Sequence, residues 1–355
     1  MTIYNFSPGP SAIPMEIKET MQNAWFDWQG LGLSVAEISH RSHYFVDLLE
    51  ETKQNLRELL TIPDRYRILF FQGGAQAQFA FIPMNLLKKQ QSADYLLYGL
   101  WSQRAFDEAK MFADVKGVTI GTDSPPLSIV PEKDWVLNKE AMYLHYCSNE
   151  TVSGMRLPFV PATNLPLIAD MSSDILSQPI DVSSYGLLYA CTQKNMGIAG
   201  LSVVIVRDDL IDQAQPGLPS IFDFKKQDEF NSLYNTTNTF TMYVLNEVLK
   251  WTKKQGGLSA MQERNQAQAK ALYDFIDESA FYTNSIDPAY RSLMNVTFQL
   301  PSREQEADFV AKAEKQGLMF LKGHRLHGGI RASIYNAMPD AGVDALLDFM
   351  RAFIA

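Results

Sequence analysis

The chain predicts an α/β fold: a large domain built on a doubly wound, mainly parallel seven-stranded sheet, with a small α+β C-terminal domain. Three features carry that expectation. Seven short apolar runs of strand length alternate with helical patterns between residues 66 and 206, which is the rhythm of βα units. Polar residues follow the carboxyl ends of several of these runs, where open α/β sheets bind their ligands. After about residue 250 the rhythm changes to long helices separated by a few short strands. At 355 residues, 46% hydrophobic and 12% aromatic, the chain can fill one large core and a smaller one.

The N-terminus carries Ser7-Pro8-Gly9-Pro10, whose prolines block helix and ladder alike; it reads as an arm or lid, or as a simple tail. Met15, Ile17, Met21 and Trp25 recur at helical spacing from Pro14 to Trp28, and Gly30-Leu31-Gly32 ends that helix. Ser39-His40-Arg41-Ser42 is a polar loop before a second helix, Phe45 to Leu60, with Val46, Leu49, Thr52, Leu56 and Leu59 on one face. Tyr66 to Phe71 is the first sheet strand. It runs into Gly73-Gly74-Ala75-Gln76 and a helix from Gln78 to Leu87. Further strands are expected at Tyr95 to Tyr98, Val118 to Ile120, Ala141 to Tyr146, Pro166 to Ile168, Leu187 to Ala190 and Leu201 to Val206, with a helix from Ser102 to Met111 between them. In the C-terminal part, helices are expected at Leu258 to Ile276, Glu304 to Lys315 and Val343 to Phe353, and strands at Met294 to Leu300, Met319 to Lys322 and Ile330 to Ile334. Residues 14–255 form the large domain in this reading, and residues 1–13 with 256–355 the small one.

Composition narrows the function. The net charge of -9 argues against nucleic acid and anionic membranes as partners. No apolar run is long enough for a membrane span, and the N-terminus lacks the pattern of a signal peptide, so a cytoplasmic protein is expected. The two cysteines, Cys147 and Cys191, suit reduced, packed thiols better than a disulfide framework or a zinc site, and no metal is expected. The basic groups are gathered in two places: His40 and Arg41, then Lys322, His324, Arg325, His327 and Arg331. That grouping suits a small substrate with more than one negative charge.

Lys194 is the residue around which the chemistry is organised. It follows the apolar run Leu187 to Cys191 and precedes Gly197, Gly200 and the strand Leu201 to Val206. Desolvation at a strand end disfavours the ammonium form and moves the amine toward the nucleophile that condenses with carbonyls; a lysine snorkelling from the strand end is the plain alternative. Around it stand Trp101, Asn149-Glu150-Thr151, Asp170 and Gln193, any of which taken singly reads as a cap or turn residue. The Gly73-Gly74 turn presents free backbone N–H groups at a helix start, a ready phosphate site, although neither GxGxxG nor GxxxxGK[ST] is present. Together these parts ask for pyridoxal 5'-phosphate. Lys194 binds the aldehyde and shuttles the Cα proton, Asp170 keeps the pyridine nitrogen protonated, Trp101 stacks on the ring, Thr151 bonds the ring hydroxyl, and the amides of Ala75 and Gln76 take the phosphate.

The stretches FSPGP, GLGLSVAEISHRS, HYCSNET, DMSSDILS, YACTQKNMGIAGL, KGHR and GGIRASIYNAM, collinear from Asn5 to about Met350, resemble the phosphoserine aminotransferase family, pyridoxal-phosphate-dependent enzymes of fold type I, class V. The resemblance implies that Lys194 carries the cofactor and that Trp101, Thr151, Asp170 and Gln193 surround its ring. It implies that Asn235 and Thr236 reach the cofactor phosphate of a neighbouring subunit, hence a homodimer with shared active sites. It further implies conversion of L-glutamate and 3-phosphohydroxypyruvate to 2-oxoglutarate and O-phospho-L-serine in two half-reactions. Arg331 matches the residue gripping the α-carboxylate, a task for a bidentate guanidinium. His40, Arg41, His324 and Arg325 match the pocket for the substrate phosphate or the distal carboxylate of glutamate. Some members have an arginine where this chain has Gln76, so that ionic contact is missing here.

Three rivals stand beside this reading: a cysteine desulfurase, an alanine–glyoxylate aminotransferase, and a silent scaffold that keeps the fold. The first needs a mobile nucleophilic cysteine. The last is opposed by the full set Lys194, Asp170, Thr151 and Arg331.

Overall fold

A computed structural model describes residues 2–354. The N-terminal strand β1 (Tyr4–Asn5) precedes helices α1 (Met15–Phe26) and α2 (His43–Leu60). Strands and helices then alternate: β2 (Tyr66–Gln72), α3 (Ala75–Leu86), β3 (Asp94–Leu97), α4 (Leu100–Ala109), β4 (Lys116–Thr119) and β5 (Leu144–Cys147). A short hairpin of β6 (Asn149–Glu150) and β7 (Met155–Arg156) leads to β8 (Leu167–Asp170), β9 (Leu187–Cys191) and β10 (Leu201–Arg207). Helices α5 (Phe224–Glu229), α6 (Thr239–Lys254) and α7 (Gly257–Glu278) follow. The chain closes with β11 (Asn295–Phe298), α8 (Arg303–Lys315), β12 (Leu318–Met319), β13 (Ile330–Ser333) and α9 (Asp340–Ile354).

Seven strands form the main sheet in the order β2-β10-β9-β8-β5-β3-β4. Only β10 runs against its neighbours, β2 and β9; the other pairs are parallel. The period-2 alternation of the strands sorts their side chains into two layers. Ile68, Phe70, Ala190 and Val203 pack on one face with residues of α1, α2 and α6. Leu69, Phe71, Tyr189 and Val204 pack on the other face with Phe79 and Ile82 of α3 and Ala105 of α4. Strands covered on both faces have no polar alternation, which explains why β9 and β10 read as continuous apolar runs.

Some boundaries shift from expectation for visible reasons. The run Ala141 to Tyr146 enters the sheet late, because Ala141 closes a turn onto Asn138 before pairing begins at Leu144. β8 extends to Asp170 instead of stopping at Ile168, so that carboxylate is the last residue of the strand itself. Trp101 lies inside the first turn of α4, not in a loop ahead of it. On α2 the buried stripe is Phe45, Leu48, Leu49, Thr52, Leu56 and Leu60, one position away from the expected Val46 and Leu59.

A second core gathers Phe6, Leu272, Ile276, Val296, Phe298, Phe309, Ile330, Ala332 and Met350 around the antiparallel pair β11–β13. β1 joins it by pairing in parallel with β12. α7 belongs to both cores: Leu258 and Met261 pack against the large sheet, while Leu272 and Ile276 pack in the second core. No helix among the described residues is long and apolar enough to cross a membrane.

Candidate active site

Parallel strands end on the same side, so the residues after β5, β8 and β9 converge. Cys147 pairs in register with Asp170, and Asp170 with Tyr189 two residues before Cys191. On that side lies a cavity of about 430 Å³, within the range of small-ligand sites. Its floor is Asp170, Ser172, Cys147 and Cys191. Gly74, Ala75, Gln76, Trp101, Thr151, Gln193 and Lys194 wall it, and His324 and Arg331 enter from the second core. Pro8 and Gly9 of the N-terminal arm line it too. Ser11 ties the arm to this loop, its N–H donating to the Gln193 carbonyl at 3.0 Å and its hydroxyl to the Lys194 carbonyl at 2.8 Å.

Asp170 is buried, and its Oδ1 accepts the Ser172 N–H at 2.9 Å. Burial pushes its carboxyl above the ordinary range, against the pull of Ser172 and Lys194. Lys194 is held by its own turn, since Asn195 donates to the Ile175 carbonyl at 2.9 Å and accepts the Asn336 N–H at 3.0 Å. The expectation of a neutral amine does not hold here. Burial lowers the Lys194 ammonium, but Tyr335, Cys191, Asp170 and Cys147 outweigh it and hold the group above its usual value.

Lys194 Nζ lies 5.8 Å from the centre of the Trp101 ring. The indole N–H donates to Thr151 Oγ1 at 2.8 Å, which leaves the threonine hydrogen free to donate elsewhere. α3 starts at Ala75 with Gly74 as its N-cap and no side chain capping it, so its first amides face the cavity without a partner of that kind. Gly73 supplies the left-handed turn that aims them, at φ 96°. Both cysteines are buried free thiols. Burial, then the Asp170 charge, raises Cys147 well above the usual thiol value, which opposes a nucleophilic-cysteine enzyme.

Arg331, on β13, is buried, and its Nη1 donates to the Thr151 carbonyl at 2.9 Å. Its Nε has no partner. Burial, then the charges of Arg331, His327, Arg325 and Arg104, lowers His324. Arg104 is a further cation near His324. Its guanidinium lies 5.2 Å from the Trp101 ring centre, one helical turn on.

Five predicted residues stand elsewhere in the single chain. His40 and exposed Arg41 precede α2, and His40 Nε2 is buried without a partner. Arg325 is exposed on the loop between β12 and β13. Asn235 and Thr236 lie beyond the edge strand β2, where Gln72 donates to the Thr236 carbonyl. None of the five lines the cavity.

The donors present fit pyridoxal phosphate: a lysine amine and a buried carboxylate share one cavity with an aromatic wall and an uncapped helix start. The Gln193 Oε1 and Arg331 Nε atoms, both buried without partners, are polar groups awaiting a ligand. Such a constellation on a sheet of this topology defines a pyridoxal-phosphate-dependent transferase. The chain belongs to the aminotransferase class-V family, whose model matches residues 3–346. More narrowly, it is similar to phosphoserine aminotransferases. It is 48% identical over 352 residues to the one from Coxiella burnetii, covering 99% of this chain and 98% of that protein. The solved structure of the Bacillus circulans subsp. alkalophilus enzyme superposes with a TM-score of 0.95 at 42% identity, over 99% of this chain and 98% of that one. The pyridoxal-phosphate-bound enzyme from Trichomonas vaginalis gives 0.94 at 39% identity, over 99% and 100%.

Proposed function

We propose that this protein is a phosphoserine aminotransferase of serine biosynthesis. It uses pyridoxal phosphate to move the amino group between L-glutamate and 3-phosphohydroxypyruvate, giving 2-oxoglutarate and O-phospho-L-serine in two half-reactions of a ping-pong course. The observation that carries this reading is the meeting of Lys194, Asp170 and Arg331 in one cavity, in a chain nearly half identical to enzymes of that name over almost its whole length.

In this reading Lys194 would hold the aldehyde, Asp170 the pyridine nitrogen, Trp101 the ring face, Thr151 and Gln193 the ring substituents, and the amides of Ala75 and Gln76 the phosphate. When bound, the cofactor supplies the electron sink that lets an amino group leave one carbon skeleton and join another. The rest belongs to the chain. Lys194 takes the substrate Cα proton and returns it. Asp170, its burial only partly offset by Ser172, Lys194 and Tyr189, gains from a cationic partner. Arg331 meets the α-carboxylate with its free Nε edge while Nη1 stays fixed on Thr151. His324, which lines the cavity, and Arg325 beside it hold the distal anion.

Residues 14–255 serve as the cofactor-binding body in this reading, and residues 1–13 with 256–355 as the smaller domain. The working unit is a homodimer, in which Asn235, Thr236, His40 and Arg41 complete the cavity of the other copy. Phe230 and Tyr234, 50% and 38% exposed just ahead of Asn235, support a partner there. A cytoplasmic location goes with the buried free thiols. The test is a panel of keto acids with glutamate as donor. Turnover of 3-phosphohydroxypyruvate far above that of pyruvate or glyoxylate is expected, and a preference for glyoxylate overturns the assignment.

A further inference from the structure

Glu150, at the end of β6, is 0% exposed; burial pushes its carboxyl up, and hydrogen bonds from Ser102 and Trp101 hold it down. Its carboxylate is held by backbone. Oε2 accepts the Trp101 N–H at 2.9 Å and Oε1 the Ser102 N–H at 2.7 Å. These are the second and third residues of α4, whose N-cap, Gly99, makes no side-chain cap. A carboxylate from a separate hairpin thus fills the capping place, where the helix dipole favours negative charge. The approach demands a glycine: a Cβ on Gly99 would lie 2.2 Å from the Glu150 Cδ. The next residue, Thr151, takes the Trp101 indole N–H. Residues 150 and 151 therefore grip Trp101 at backbone and ring. Their hairpin is itself anchored, with Asn149 donating to Ser173 Oγ and to Asn295 Oδ1, both at 2.9 Å.

We propose that Glu150 is a positioning residue for Trp101: by capping α4 from the neighbouring hairpin it fixes the tilt of the indole that walls the cavity beside Lys194. A cap needed only for stability calls for no buried charge brought in from another element, since a serine or aspartate at position 99 would serve. The consequence for cofactor affinity rests on the proposed function; the effect on the indole does not.

Two variants attack the clamp from opposite sides. Glu150→Gln keeps the shape but turns an amide N–H₂ toward a backbone N–H, and Gly99→Ala keeps the charge but displaces it. In full-length protein without cofactor, amide exchange by NMR is read at the backbone N–H of residues 101 and 102 and at the Trp101 indole N–H, assigned with Trp101→Phe. Both variants should speed exchange at all three, including the indole, which Glu150 never touches. With pyridoxal 5'-phosphate added, each should weaken binding about tenfold, the size of one lost charge-assisted bond. In a Trp101→Phe background the same changes should cost little more. An unchanged indole, or a loss of affinity that adds in full to that of Trp101→Phe, overturns the proposal. If the unmutated protein binds no pyridoxal phosphate, the cofactor reading fails, and the indole exchange alone decides the role of Glu150.

Discussion

Asp170 and Lys194 stand at the ends of two central parallel strands, buried and tied by Ser172, Asn195 and Asn336, whereas His324 and Arg325 stand on a loop between two short strands of the second core. The first pair is fixed before any ligand arrives. The second pair is less enclosed, with Arg325 exposed and His324 half-buried at the cavity. A rigid floor suits a resident cofactor whose reacting atom must be placed to a fraction of an ångström. An exposed cationic rim suits substrates that come and go twice in each cycle. Arg331 lies between the two: it belongs to the second core yet is buried and bonded to Thr151.

Substitutions on the floor should therefore strike the rate, and those on the rim the affinity for one substrate. Lys194→Ala should show the largest effect, lowering kcat by about 10³-fold, since the group that carries the Cα proton is gone; single-turnover absorbance measures it, with weak cofactor binding retained. Asp170→Asn should follow, lowering the rate of Cα proton removal by about 10²-fold with a smaller loss of cofactor affinity. Deuterium at Cα tests this, and equal rates would give the carboxylate another task. Arg331→Ala should raise KM for glutamate and for 3-phosphohydroxypyruvate alike, by about 1.5–3 kcal/mol. Arg325→Ala should raise KM mainly for the phosphorylated substrate, because a dianion gains more from each charge-assisted bond. Equal shifts for both substrates would erase the distinction between rim and floor.

The smallest effect lies beneath the floor. Burial pushes the Asp174 carboxyl up from its ordinary 3.8 to about 7, partly checked by its bond from Ser148. Between those pH values the folded chain holds a proton that the unfolded chain has released, so the Asp174 contribution to stability is lost as pH rises through that window and is flat above it. Asp174→Asn should flatten the fall in Tm across the window, and an unchanged slope would place the proton elsewhere.

The floor was legible in the sequence because apolar runs followed closely by Asp170 and Lys194 leave polar groups in an awkward place, which is a physical signal. The rim was legible only as a cluster of basic residues suited to an anion; that Arg331 is buried and bonded to Thr151 could not be seen, because no local pattern links residue 331 to residue 151. α6 was missed because Met242, Tyr243, Val244, Leu245, Val248, Leu249 and Trp251 bury it on nearly every side, which blurs the single stripe that marks an amphipathic helix. Glu150 was visible in the sequence but silent, since its partners are backbone amides 49 and 48 residues away. The direction of the Lys194 shift differs from expectation because local sequence registers desolvation but not Tyr335, which arrives from 141 residues further along the chain.

The central claim is that Lys194 is the residue that captures pyridoxal phosphate in the cavity between Trp101 and Asp170. Borohydride reduction of the protein saturated with the cofactor, followed by peptide mass spectrometry, tests it most directly. The pyridoxyl mass is expected on the peptide that contains Lys194 and nowhere else; a label on another lysine, or no label in protein that turns over the substrates, contradicts the account.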